Sequence, residues 1–181
     1  EAGVELVAPQ GDNLFADLPI LVPRVRALCR DPDRYVILDA GGDDTGARAL
    51  GSMSDLLAAS GVGITLVLNF RRPFTPDVAT AVVMAREIEA AARLPVTGVV
   101  SNTHLMNETT VAVVREGYDL AVATAREMGV PVRAVAADEG IADDVRAALD
   151  GCPVFALHRL LRTPFDPELR VRRTGPIFQL N

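Results

Sequence analysis

The chain reads as an α/β protein built on a mostly parallel sheet with helices on both faces, and three observations predict it. Strand-like runs alternate with helix-like segments along the whole length, with no internal repeat and no low-complexity linker; parallel strands joined by helical crossovers give that pattern. Two runs, 35–40 and 64–70, are apolar at most positions and rich in β-branched side chains, as strands buried on both faces are. The first of them ends abruptly on Asp39-Ala-Gly-Gly42. That delivers a carboxylate to the C-terminal edge of the sheet, where open α/β folds bind ligands.

Taken in order, residues 4–8 (Val4-Glu-Leu-Val-Ala8) form the first expected strand, followed by a loop through Gly11-Asp-Asn13. A short helix starts near Pro23, because proline is tolerated in a first turn but not in a helix interior. It ends by Arg30, before Asp31-Pro-Asp33. Residues 35–40 are the second strand, and 47–60 a helix closed by Gly61. The run 64–70 belongs in the centre of the sheet, being apolar on both faces. Thr75-Pro76-Asp77 supplies a hydroxyl N-cap, a proline at the first helical position and an acid in the first turn. Val78, Val82, Ala85 and Ile88 then fall on one helical stripe. A strand over 96–102, a polar loop over 103–109 and a helix over 111–128 stopped by Gly129 follow. A strand over 131–136, a helix over 141–149 and a strand over 153–157 complete one domain, residues 1–162. In the tail, 163–181, Pro164, Pro167 and Pro176 exclude an amphipathic membrane-anchoring helix.

The 181 residues suffice for one substantial core, and 49% apolar with 23% charged residues is ordinary for a globular domain. A net charge of −6 argues against a general nucleic-acid binder. All eighteen basic residues are arginine, so chemistry that needs a lysine ammonium is excluded from this chain. Cys29 and Cys152 sit in apolar surroundings without metal-ligand spacing, as buried thiols in a reducing cytoplasm do. The longest apolar stretch, 62–70, is far short of the roughly 20 residues a membrane span needs, and no signal peptide is recognisable. A start at Glu1, without an initiator Met, fits either a trimmed fragment or a tidied terminus.

Several positions could carry chemistry. At the end of its strand, Asp39 could hold a magnesium ion through its waters while Gly41 and Gly42 admit a terminal phosphate; equally, Asp39 could cap a tight turn made by the glycines. Asp39, Asp43 and Asp44 together could form an acidic metal site without a nucleotide. Asn102, at the end of another strand, can offer a donor and an acceptor to a base edge, or serve as a turn residue. Asn69, Arg71 and Arg72 end the neighbouring strand at the same edge, and the arginines could clamp phosphate or a carboxylate, or simply be solvated. His104 and His158, the only histidines, lack the spacing of a metal pair and receive no role. Neither a Gly-x-Ser-x-Gly elbow nor a dinucleotide-binding glycine pattern is present in the right context.

Together these features resemble the MinD/ParA-type P-loop ATPases, the group that includes the CobQ/CobB-like cobyrinic acid diamide synthase domains, over about residues 4–157. Val36-Ile-Leu-Asp39 with Gly41 and Gly42 looks like the Walker B strand and its switch, and Gly98-Val-Val-Ser-Asn102 like the strand whose terminal Asn reads adenine. Val132-Arg-Ala-Val-Ala-Ala-Asp138 is similar to the later strand that runs into a base-lining loop, although the family usually has proline where this chain has Ala137. Gly41-Gly-Asp-Asp-Thr-Gly-Ala-Arg48, Arg72-Pro-Phe-Thr75, and Ser101-Asn-Thr103 with Glu108-Thr-Thr110 look like a bacterial subgroup of such ATPases.

The resemblance implies a P-loop NTPase-like three-layer fold in which Asp39 is catalytic and positions Mg²⁺. Gly41 and Gly42 sense the γ-phosphate, and Asn102, Ala137 and Asp138 line the base. It also implies a homodimer, with any other protein partner unidentified. The departure is large: the chain has no Gly-rich Walker A turn and no lysine. ATP and Mg²⁺ are therefore expected of an intact, longer protein, and tight binding to this chain alone is not. The lost Walker A strand would lie between the strands 35–40 and 64–70, leaving a gap that Pro176-Ile-Phe-Gln-Leu180 could fill, or that the two strands could close by pairing directly. The alternative is a non-catalytic interaction or dimerisation module that keeps the fold. Activation of a carboxylate, as in ligase or amidotransferase relatives, has no residue of its own here.

Overall fold

The structure, a computed structural model, describes residues 4–7, 22–42, 44–149 and 151–160. It is an α/β fold with a four-stranded, all-parallel sheet and helices around it. The strands are β1 (Ile64–Leu68), β2 (Val96–Ser101), β3 (Val132–Asp138) and β4 (Val154–Leu157), in spatial order β1-β2-β3-β4. The helices are α1 (Val22–Arg30), α2 (Asp44–Gly51), α3 (Ser54–Ala59), α4 (Val78–Ala92), α5 (Val111–Met128) and α6 (Ala142–Ala148). A 3₁₀ turn spans Met106–Glu108. The proposed tail, and the loop through Gly11-Asp-Asn13, lie outside the described residues.

Because neighbouring strands are consecutive in sequence and parallel, right-handed crossovers put α4, α5 and α6 on one face of the sheet. Burial agrees: Leu66, Leu68 and Val99 join Ala81, Ala85, Ile88 and Ala121 in one core cluster, and Val135 and Ala137 join Val114 and Val145 in a second. Ala47, Met53 and Leu57 extend the first cluster beyond α4, with Val25, Cys29 and Leu38 packed partly against it. The opposite face carries Val67, Phe155 and Leu157, which are 58%, 59% and 47% exposed. No described helix supplies a second layer there.

The N-terminal third departs most from its expected form. Residues 4–7 and 35–40 are not strands, and Val4, Leu6, Tyr35 and Ile37 are exposed. Their apolar composition suits a buried strand, but strands are made by pairing, and no described segment pairs with either. For the same reason β1, placed centrally by its composition, is the edge of the described sheet.

Helix boundaries moved for local reasons. The helix expected over 47–60 is two helices broken at Ser52-Met53. Gly51 ends the first of them where a Cβ would lie 2.4 Å from the carbonyl oxygen of Ala91, so only glycine permits that approach to α4. The cap of α4 is Asp77, not Thr75: its carboxylate accepts from the Thr80 amide and the Thr80 hydroxyl reaches back in a capping box. Thr75 is buried instead and donates its hydroxyl to the Asn69 carbonyl at 3.1 Å. The helix over 111–128 has the expected bounds and closes on Gly129 at φ 71°.

Candidate functional site

The loops that leave the C-terminal ends of β1, β2 and β4 are tied together by side chains. Asn69 follows β1 and spends its amide oxygen on two backbone donors, Arg71 N at 2.9 Å and His104 N at 3.4 Å. Its carbonyl accepts from Arg72 N at 3.1 Å. From the other side, buried Thr103 accepts the Phe70 amide on Oγ1 at 3.2 Å. This joint needs close approach: a Cβ on Gly117 of α5 would lie 2.2 Å from both Cβ and Oγ1 of Thr103. Asn69 is thus a structural link, and Arg71 is held by Glu116.

Asn102, between these joints, is fixed by its backbone amide, which donates to Leu68 O at 2.7 Å. Its half-buried side-chain amide has no hydrogen-bond partner among the described residues. Beside it the Ser101 hydroxyl is fully buried and also without a partner. One strand further, Asp138 is exposed and uses Oδ1 to hold the Gly140 amide at 2.9 Å. Ala137 is different: its side chain is 4% exposed within the α5–α6 core, so only its backbone could touch a ligand.

Asp39, Gly41 and Gly42 are exposed on the loop before α2. Gly46 allows Gly41 to fold onto the first turn, since a Cβ there would lie 2.6 Å from Gly41 N and O. Gly51 lies against the last turn of α4 and Ala47 joins the same core, so α2 packs on α4. No hydrogen bond joins Asp39 to Asn102 or Asp138 among the described residues. Asp43, and the side chain of Asp44, lie outside the described residues.

The residues with no assigned role from the sequence form the densest polar group. His104 accepts the Met106 amide on Nδ1 at 3.3 Å, which leaves Nε2 as the donor of the neutral ring. Met106, at φ 56°, then turns the loop toward Arg159, whose guanidinium donates to Asn107 Oδ1 at 2.8 Å and contacts the Met106 sulfur at 3.6 Å. Burial pulls the His104 imidazole below its ordinary pKa, and the cationic Arg72 and Arg159 pull it further. Next to Arg159 in sequence, His158 pairs with Glu139 at 2.5 Å. An adjacent arginine pair at a strand end and a mid-helix glycine at 117 were the available sequence signals.

At this edge Asn102 keeps a side-chain donor and acceptor with no partner among the described residues. The phosphate and metal side of a nucleotide does not fit the described residues. One first-turn amide of each of α4 and α5 is engaged by its cap, Thr80 N by Asp77 at 2.9 Å and Val113 N by Thr110 at 3.3 Å. No group of three or more metal-ligating side chains occurs among the described residues. No helix among them is long and apolar enough to cross a membrane. Neither a family model, nor a curated protein, nor a solved structure matches the chain.

Proposed function

We propose that the chain carries the base-binding and switch portion of a MinD/ParA-like nucleotide site and does not hydrolyse ATP alone. The observation that carries this is the uncommitted Asn102 amide at the end of an interior strand, on the edge where parallel sheets bind ligands. Asn102 would hold the adenine edge, flanked by Asp138 and the backbone of Ala137. Asp39 would position Mg²⁺ and Gly41 and Gly42 would face the γ-phosphate once a phosphate-binding loop completes the site. Calorimetry with AMP, adenosine and Mg·ATP tests it. Weak binding without turnover is expected, weakened at least about tenfold (about 1.4 kcal/mol) in Asn102→Ala, with unchanged thermal stability. Equal binding by Asn102→Ala overturns the assignment, and tight binding with turnover of Mg·ATP overturns the view that the site is incomplete.

A second reading, a non-catalytic dimerisation module, draws on the exposed apolar face of the sheet, since parallel sheets are normally covered on both faces. The occupant it names is a second copy. By register Arg133 and Asp138 stand near opposite ends of β3, so a twofold axis across the strands would set each Arg133 against the partner's Asp138. Light scattering should give twice the chain mass, reduced to the monomer by Phe155→Glu; a monomeric parent chain removes this reading.

A further inference from the structure

The turn after β1, the loop after β2 and the segment after β4 converge on a cluster that the nucleotide reading leaves unused. Arg72 is fixed through its backbone amide to Asn69, whose side chain also holds the backbone of His104. His104 in turn anchors Met106, and Met106 and Asn107 hold Arg159. The exposed Arg72 guanidinium has no hydrogen bond or ion pair among the described residues. His104 is half-buried with Nδ1 occupied, so its one remaining ring function is a donor. The charged groups that bear on the imidazole, Arg72 from the β1 side and Arg159 from the β4 side, are both cationic.

We infer that Arg72, the Nε2–H of His104 and Arg159 form an anion site that binds the oxygens of a phosphoryl group. The three donor groups belong to three separate segments, which suits a tetrahedral anion with several acceptor oxygens better than a planar carboxylate. Guanidinium groups suit phosphoryl oxygens because they present several N–H donors on one positive charge. The phosphoryl group can belong to free phosphate or to a phosphate monoester such as AMP, since the chemistry that holds it is the same. Asn102 and Ser101 take no part, so the site stands or falls independently of adenine recognition.

The two histidines provide the assay, with His158 as an internal reference because Glu139 is its partner. Ring ¹H–¹⁵N NMR on the whole chain, titrated with inorganic phosphate at constant ionic strength, should raise the His104 midpoint by at least about half a pH unit. His158 should stay put. Arg72→Ala should weaken phosphate binding at least tenfold, and Arg72→Lys should restore part of it. His104→Gln, which keeps a side-chain donor, should retain more affinity than His104→Ala. Adenosine should leave His104 unmoved, whereas AMP should move it. AMP binding no better than phosphate removes the adenine reading and leaves the anion site standing. Equal movement of both histidines, or unchanged phosphate affinity in Arg72→Ala, overturns the site.

Discussion

Gly117→Ala decides whether the loop joint beneath Asn102 is as tight as its geometry says. In an ordinary helix interior the change would stabilise by about 1 kcal/mol, because alanine is the better helix former. Here the new Cβ would lie 2.2 Å from Cβ and Oγ1 of Thr103, well inside the carbon–carbon optimum of about 3.5–4.0 Å. Rotating χ1 of Thr103 cannot relieve a clash with its Cβ, so α5 or the strand-end backbone must move by more than about 1 Å to regain that optimum. Overpacking of this kind costs about 1–3 kcal/mol. Moving Thr103 also strands the Phe70 amide, buried with its residue 5% exposed, at about 1–3 kcal/mol more. The net loss is about 1–5 kcal/mol after the helix-propensity gain. For a chain of this size that lowers Tm by roughly 2–20 °C. Urea and thermal unfolding followed by circular dichroism measure it. A variant as stable as the parent, or more stable, would refute the reasoning, because helix propensity alone would then account for the result.

Two further outcomes follow from local electrostatics. The Thr80 amide and hydroxyl hold the Asp77 carboxyl below its usual pKa, so its contribution to stability is complete above the ordinary aspartate range near about 3.9. It is lost as pH falls through the lower folded-state value; Asp77→Ala should lower Tm at pH 7 and flatten the loss of Tm below about pH 4, and an unchanged acid limb contradicts the capping role. Burial raises the thiol pKa of both Cys29 and Cys152, although the Tyr118 hydrogen bond opposes it at Cys152. Both should react with a disulfide reagent more slowly at pH 7 than a free thiol, accelerating only toward alkaline pH, and fast labelling of the folded chain at neutral pH contradicts this.

The parts of the fold legible in the sequence are those whose cause is local or whose partner lies nearby in the chain. The span 111–128 announces itself by amphipathic period and a terminal glycine, and β2, β3 and β4 by short apolar runs set between such helices. Runs 4–7 and 35–40 carry the same composition but form no strands among the described residues, because a strand exists only with a neighbour, and composition does not say whether one is present. The same gap in information bears on β1: an apolar run reads as central, yet Val67 stands on an exposed face and the strand on an edge of the described sheet. At the candidate site, Asn102 was singled out by its place at the end of a strand, and Asp138 by resemblance. Ala137 was assigned by resemblance, and the alternation of β3 turns its side chain into the helical core. His104, Thr103 and Arg159 received no role of their own from the sequence because their meaning is created across 30 to 50 residues, by Asn69, Phe70 and Asn107. A lone histidine has no readable environment in sequence; it acquires one when the ends of β1, β2 and β4 bring two arginines to it. The strand order that brings those ends together therefore decides the chemistry of this edge as much as the residue types do.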